Sequence, residues 1–210
     1  MKKRSLPAAV ILAIASEAAL AVQSFDEYFD EAAWQAANPG LATESFDAIV
    51  AGTALDALAG LKIEFSAPLP TVKTTGDFGG FSHSGAQVLA NAGTEAIRLV
   101  PAAGWLITGL GYWNTGKDDR TILAFAQGGS SFEVLSPAVP DNLSFVGMRL
   151  PGGADHVAIL WNSAGGGNGS FSIDDLQVAT APIPEPGIPA MLLAGLGALA
   201  FVRRRARALP

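Results

Sequence analysis

Between Leu61 and Val178 short runs rich in β-branched and aromatic residues are cut every few positions by Gly, Pro, Asn or Asp. Several runs alternate apolar with polar residues, as in Ser131-Phe132-Glu133-Val134 and Ser170-Phe171-Ser172-Ile173. Period-two alternation puts one face of a strand in a core and the other in water. The pattern predicts strands near Leu61–Ser66, Ala96–Val100, Trp105–Trp113, Thr121–Ala126, Phe132–Leu135, Leu143–Leu150, His156–Trp161 and Ser170–Val178. Regular short strands separated by turn residues argue a mainly β fold, an antiparallel β-sandwich of jelly-roll type. Its expected core positions include Phe65, Ile97, Leu99, Phe132, Phe145, Ile159 and Phe171. One short helix precedes the strands: Asp30 is placed as its N-cap, Phe29 and Trp34 as a hydrophobic staple, and Asn38-Pro39-Gly40 as its stop after Ala37.

Neither end of the chain fits that pattern. Met1-Lys2-Lys3-Arg4 is a positive n-region, Leu6 to Ala15 an apolar core and Ala19-Leu20-Ala21 a small-x-small cleavage site, so residues 1–21 read as a secretory signal peptide. At the other end, residues 182–189 form a Pro-rich linker, in which fixed φ angles and missing backbone donors predict an extended, accessible segment. Residues 190–210 follow as an apolar run from Ala190 to Val202 and a basic tail containing Arg203, Arg204, Arg205 and Arg207. Leu, Ala and Gly there favour a lipid-embedded helix, with the arginines held on the cytoplasmic side. The stretch from Ile188 to Val202 is short of the roughly 20 apolar residues that a full span takes, which argues against a plain membrane anchor.

Residues 22–181 remain, enough for one domain with a core of its own. Three of the 13 Lys and Arg lie in the leader and four in the tail, while Glu17 and Glu185 are the only two of 19 Asp and Glu outside the domain. The domain therefore carries 6 cationic and 17 anionic residues, a net charge near −11. Such a surface repels the phosphate backbone and speaks against nucleic-acid binding. The absence of cysteine excludes disulfides, thiolate metal sites and a Cys nucleophile.

Catalytic patterns are sparse. A Ser-His-Asp system requires a His held by an acid and facing a nucleophile, and only His83 and His156 are available. His83 lies in the Gly- and Ser-rich loop Gly79-Gly80-Phe81-Ser82-His83-Ser84-Gly85, and His156 opens an expected strand. The paired carboxylates Asp118-Asp119 and Asp174-Asp175 are adjacent in sequence, and neighbours on a regular strand point to opposite faces, so neither forms an evident acid/base couple. Gly165-Gly166-Gly167-Asn168-Gly169 lacks the Lys-Ser/Thr of a phosphate loop. A ligand site is better supported: Tyr112, Trp113 and Trp161 beside Asn114, Asp118 and Asp119 offer aromatic faces for sugar rings with amide and carboxylate groups for hydroxyls. For each indole, however, the favoured reading is that Trp105, Trp113 and Trp161 fill the sandwich core, since aromatic residues dominate cores.

Taken together, Pro184-Glu185-Pro186, the apolar run and the terminal arginines resemble the PEP-CTERM sorting signal of Gram-negative bacteria. The resemblance implies an exosortase as partner, a membrane-held precursor, and release to the cell surface or extracellular matrix. Within the domain, Asp30-Glu31-Ala32-Ala33-Trp34, Glu44-Ser45-Phe46-Asp47 with Ala51-Gly52-Thr53, and Phe171-Ser172-Ile173-Asp174-Asp175-Leu176 resemble segments of sandwiches in PEP-CTERM proteins and of carbohydrate-binding jelly rolls. In the latter the two ends of the domain share a structural calcium ion, which implies Glu44, Asp47 and Asp175 as ligands here. The sequence thus reads as an exported, non-catalytic protein for adhesion or exopolysaccharide association through glycan binding; the alternative is a secreted glycan-active enzyme.

Overall fold

The computed structural model describes residues 25–78, 81–115, 120–127, 129–137, 143–162 and 169–183. The leader, Asp118, Asp119, Pro184 to Pro186, the apolar run and the terminal arginines lie outside them. The chain opens with β1 (Asp26–Tyr28), α1 (Glu31–Ala37), β2 (Ala42–Glu44) and β3 (Ala57–Leu58). It continues through β4 (Ile63–Ser66), β5 (Thr71–Thr74), β6 (Gln87–Ala90) and β7 (Ile97–Pro101). The long strands follow: β8 (Trp105–Asn114), β9 (Thr121–Gln127), β10 (Ser130–Leu135), β11 (Ser144–Ala154), β12 (His156–Trp161) and β13 (Ser172–Pro182).

These strands form two antiparallel sheets. The first runs β1-β11-β8-β13-β6-β5, with β2 also paired to β13, and the second runs β10-β9-β12-β7-β4-β3. The protein is therefore the mainly β sandwich that the alternation predicts. All eight predicted strands are present, and β13 continues four residues past Val178, to Pro182. The short strands β1, β2, β3, β5 and β6 were not predicted, because two to four residues hold too few alternations to register a period.

Between the sheets lies one apolar cluster that includes Phe65, Ile97, Leu99, Leu110, Tyr112, Phe125, Ile159 and Phe171. Tyr112, expected as an aromatic face for a sugar, is instead fully buried among them because its side chain points between the sheets, and its hydroxyl meets Thr121 Oγ1 at 2.7 Å. Burial pushes its phenol well above the ordinary value. Phe132 packs against the cluster only in part.

Phe145 is buried but belongs to a second apolar layer, on the outer face of the first sheet. There Trp34, with no exposed surface, lies over Gly109 and Gly111 of β8 and Gly147 of β11. A Cβ at Gly109 would stand 2.7 Å from Trp34 Cη2, and one at Gly111 would stand 2.9 Å from Trp34 Nε1. Gly111 and Gly147 are paired directly across the ladder. Three residues without side chains thus form a floor on which an indole lies at backbone distance. Tyr28 meets Trp34 edge-on at 5.4 Å and Phe145 flanks it at 6.4 Å.

Asp30 caps α1 as expected, its Oδ1 accepting from Ala33 N at 2.8 Å. The expected staple is replaced, however. Phe29 is half-exposed, and the ring against Trp34 is Tyr28, one position earlier and paired to Gly147 in β1. A strand residue opposite a glycine floor reaches the indole more directly than the residue that turns the chain into the helix. Removing the Trp34 side chain should cost about 3 to 5 kcal/mol, whereas removing the cap with Asp30→Ala should cost about 1 kcal/mol. Chemical denaturation of the two variants checks the order, and similar costs would contradict the role given to the indole.

Candidate functional site

The outer face of the first sheet continues from Phe145 to Trp113, and the two rings meet edge-on at 5.8 Å. Phe145, Trp113 and Asp174 are directly paired across β11, β8 and β13, so their side chains form one row on that face. Over Trp113 lies the His83 imidazole, stacked at 4.0 Å with the planes 7° apart. Five rings therefore run in contact from Tyr28 through Trp34, Phe145 and Trp113 to His83.

The His83 loop is fixed by the two carboxylates that the sequence suggested would diverge. The register of β13 against β8 shifts between Asp174 and Gln177, and Asp175 has a φ of 45°. A bulge of this kind re-aims side chains, and here it turns both carboxylates toward one loop. Asp174 Oδ2 accepts from His83 N at 2.8 Å and Ser84 N at 2.9 Å. His83 Nδ1 donates to Asp175 Oδ2 at 2.5 Å, and the Ser84 hydroxyl donates to Asp175 Oδ1 at 2.8 Å. From the opposite side Asp47 Oδ1 accepts from Ala86 N and Gln87 N. Only glycine suits the middle of this grip: Gly85 has a φ of 50°, and a Cβ there would fall 1.9 Å from Asp47 Oδ1.

Glu44 Oε1 accepts from Phe46 N at 2.9 Å, holding that fully buried ring with a φ of 65°. The opening segment and the closing strand do meet, as the resemblance to calcium-bound jelly rolls implies: β2 pairs directly with β13, Glu44 opposite Leu176, and the peptide of residues 83–87 bridges Asp47 to Asp174 and Asp175. Calcium takes about six to eight oxygens. Glu44, Asp47 and Asp175 do not fit that set as placed, because each already accepts from protein donors and no group of three His, Asp or Glu side chains among the described residues converges on a common point.

The sequence-derived ligand residues fall on both sheets. Trp113 is half-buried on β8 with one face under His83, while Trp161 ends β12 in the second sheet and packs against the inter-sheet cluster. Asn114, at the end of β8, is buried. Trp105 lies half-buried with Lys62 Nζ 5.8 Å from its ring centre. None of these three indoles fills the core as the favoured reading expects; the fully buried indole is Trp34, outside the inter-sheet cluster. His156 is exposed, with Nδ1 2.8 Å from Asp155 Oδ1.

Residues 182–207 match the family model of the PEP-CTERM protein-sorting motif. The tail carries a PEP-CTERM sorting signal. It implies export and display at the cell surface from a membrane-held precursor. No curated protein matches the sequence. Among solved structures, the K2 cleaved adhesin domain of Lys-gingipain is similar at 14% identity and a TM-score of 0.43, over 67% of this chain and 99% of its own. TmCBM61, solved in complex with β-1,4-galactotriose, is similar at 14% identity and a TM-score of 0.23, over 58% of this chain and 87% of its own. The PEP-CTERM signal begins at Pro182, the last residue of β13, and Ile183 N still donates to Gly104 O at 2.9 Å.

The loop grip carries a pH dependence. Burial pushes the Asp174 carboxyl from 3.8 up to about 6, with the Asp175 charge adding to the rise and the N–H groups of Ser84, Asp175 and His83 opposing it. The folded protein then holds a proton that the unfolded chain releases, so this contribution to stability is complete below the unfolded value and declines as pH rises through about 6. Thermal melts from pH 4 to pH 7 should show wild type losing stability relative to Asp174→Asn across that window. A difference that is flat, or that grows in the opposite sense, would contradict the assignment.

Proposed function

We propose that this protein is an exported, non-catalytic surface domain, delivered by its PEP-CTERM signal and acting in adhesion or exopolysaccharide association through glycan binding. The observation that carries the reading is the sorting motif at residues 182–207, continuous with a central strand. β13 is paired on both flanks, to β8 on one side and to β2 and β6 on the other. A tether leaving that strand loads the ladder along its length, which suits a domain held at a surface. Exosortase is the partner in processing, and the apolar run holds the precursor in the membrane until then.

The acid, imidazole and hydroxyl of the His83 loop support a structural role over hydrolysis. In a nucleophilic triad the acid and the nucleophile bind opposite nitrogens of the imidazole. Here the Ser84 hydroxyl donates to the carboxylate that also holds His83 Nδ1, so acid and hydroxyl stand on the same side of the ring.

Sorting requires the motif and the basic end together. Glu185→Ala, or deletion of residues 203–207, should leave unprocessed precursor in the membrane fraction, with the C terminus intact by mass spectrometry. Release of Glu185→Ala with a normally trimmed C terminus would sink the sorting part of the reading.

A further inference from the structure

A cavity of about 300 Å³ opens on the outer face of the first sheet, beyond the C-terminal end of α1 and away from the His83 loop. Its walls include Asn38, Pro39, Thr108, Arg149, Pro151 and Thr180. The volume is at the lower end of small-ligand sites. It exists because three regular elements stop or break at one place. The helix ends at Asn38-Pro39-Gly40, with Gly40 at a φ of 86°. The register of β11 on β8 shifts between Arg149 and Ala154, and that of β13 on β8 shifts between Ala179 and Thr180. The β11 excursion is itself braced: Gln127 Nε2 donates to Gly152 O at 2.7 Å, and Gly153 at a φ of 75° lies against Leu106. Bulges concentrate beside binding and active sites because they re-aim side chains, and two of them border this cavity.

We propose that this cavity is a binding subsite for one neutral sugar residue of a polysaccharide. The proposal rests on the glycan-binding reading and names the place and charge of the ligand. Arg149 only donates hydrogen bonds, the Thr108 and Thr180 hydroxyls donate and accept, and the Asn38 side chain keeps its carbonyl oxygen as acceptor and one amide N–H as donor, the other N–H donating to Trp34 O at 2.9 Å. A sugar hydroxyl likewise both donates and accepts, so it matches a wall of mixed sense. A carboxylate or phosphate accepts only, and would meet the Asn38 oxygen and the negative end of α1. The Arg149 charge is also answered already by Asp26, 3.7 Å away. Pro39, Pro151 and Ala179 contribute the smaller, apolar part of a mostly polar lining, as suits a sugar residue rich in hydroxyls.

Affinity electrophoresis of the full chain in mild detergent through gels containing dextran, galactan, mannan or alginate tests the subsite. Wild type should be retarded by at least one neutral polysaccharide and not by alginate alone. Thr180→Val and Arg149→Ala should each weaken that retardation about tenfold or more with unchanged melting temperature, Thr180→Val being of nearly the same shape as the residue it replaces. Should Trp113→Ala abolish retardation while Thr180→Val and Arg149→Ala leave it intact, the subsite is wrong and the glycan-binding reading stands. Retardation by no polysaccharide overturns both, and retardation by alginate alone overturns the neutral ligand.

Discussion

The contact between Trp34 and a floor of three glycines organises the outer face of the first sheet. An indole has to lie close to backbone to bury both its faces, and only positions without Cβ allow that approach on a pleated sheet. Gly109, Gly111 and Gly147 meet the condition on two adjacent strands, and Gly111 stands opposite Gly147. The approach leaves Trp34 Nε1 buried without an acceptor among the described residues, an unfavourable term of about 1 to 3 kcal/mol that the packing of a whole indole outweighs. Without this contact α1 is a seven-residue helix of marginal intrinsic stability, since isolated helices of that length do not persist in water.

From that anchor the remaining features of the face follow in order. The indole holds α1 against the sheet, and the end of α1, set by Asn38-Pro39-Gly40, closes one wall of the cavity beside Thr108, Arg149 and Thr180. In the other direction the aromatic contacts pass through Phe145 and Trp113 to His83, which Asp174 and Asp175 hold in place. The inter-sheet core supports this face without determining it: the core accepts any strands with correct alternation, whereas the floor requires glycine at three particular positions.

The sandwich was legible because its long strands alternate visibly, and the sorting signal because its three parts occur together at one end. What the sequence did not disclose lies where the period breaks. Asp174 and Asp175 read as residues on opposite faces, and a bulge with Asp175 at a φ of 45° puts both carboxylates on the His83 loop. Phe145 read as core on the same alternation and belongs to the outer layer, because an aromatic residue at a face covered by α1 leaves the same periodic signal as one between the sheets. Gly109-Leu110-Gly111 and Gly147 offered a hint, since glycine at alternate positions inside a strand marks a close approach. The cavity left no trace of its own, being made by two register shifts that depend on pairing partners far apart in the chain.

The outer face of the first sheet thus depends on one buried indole, and a double-mutant cycle between Trp34 and Gly109 tests that dependence most directly. Gly109 is the cleaner partner because, among the described residues beyond its chain neighbours, Trp34 Cη2 alone comes within 3 Å of the added Cβ. In the wild-type background Gly109→Ala should destabilise the domain by about 1 to 3 kcal/mol, the usual penalty of overpacking. In the Trp34→Ala background the same substitution should cost less than about 0.5 kcal/mol, giving a coupling energy well above the limit of additivity for independent sites. Additive costs in the two backgrounds would contradict the account.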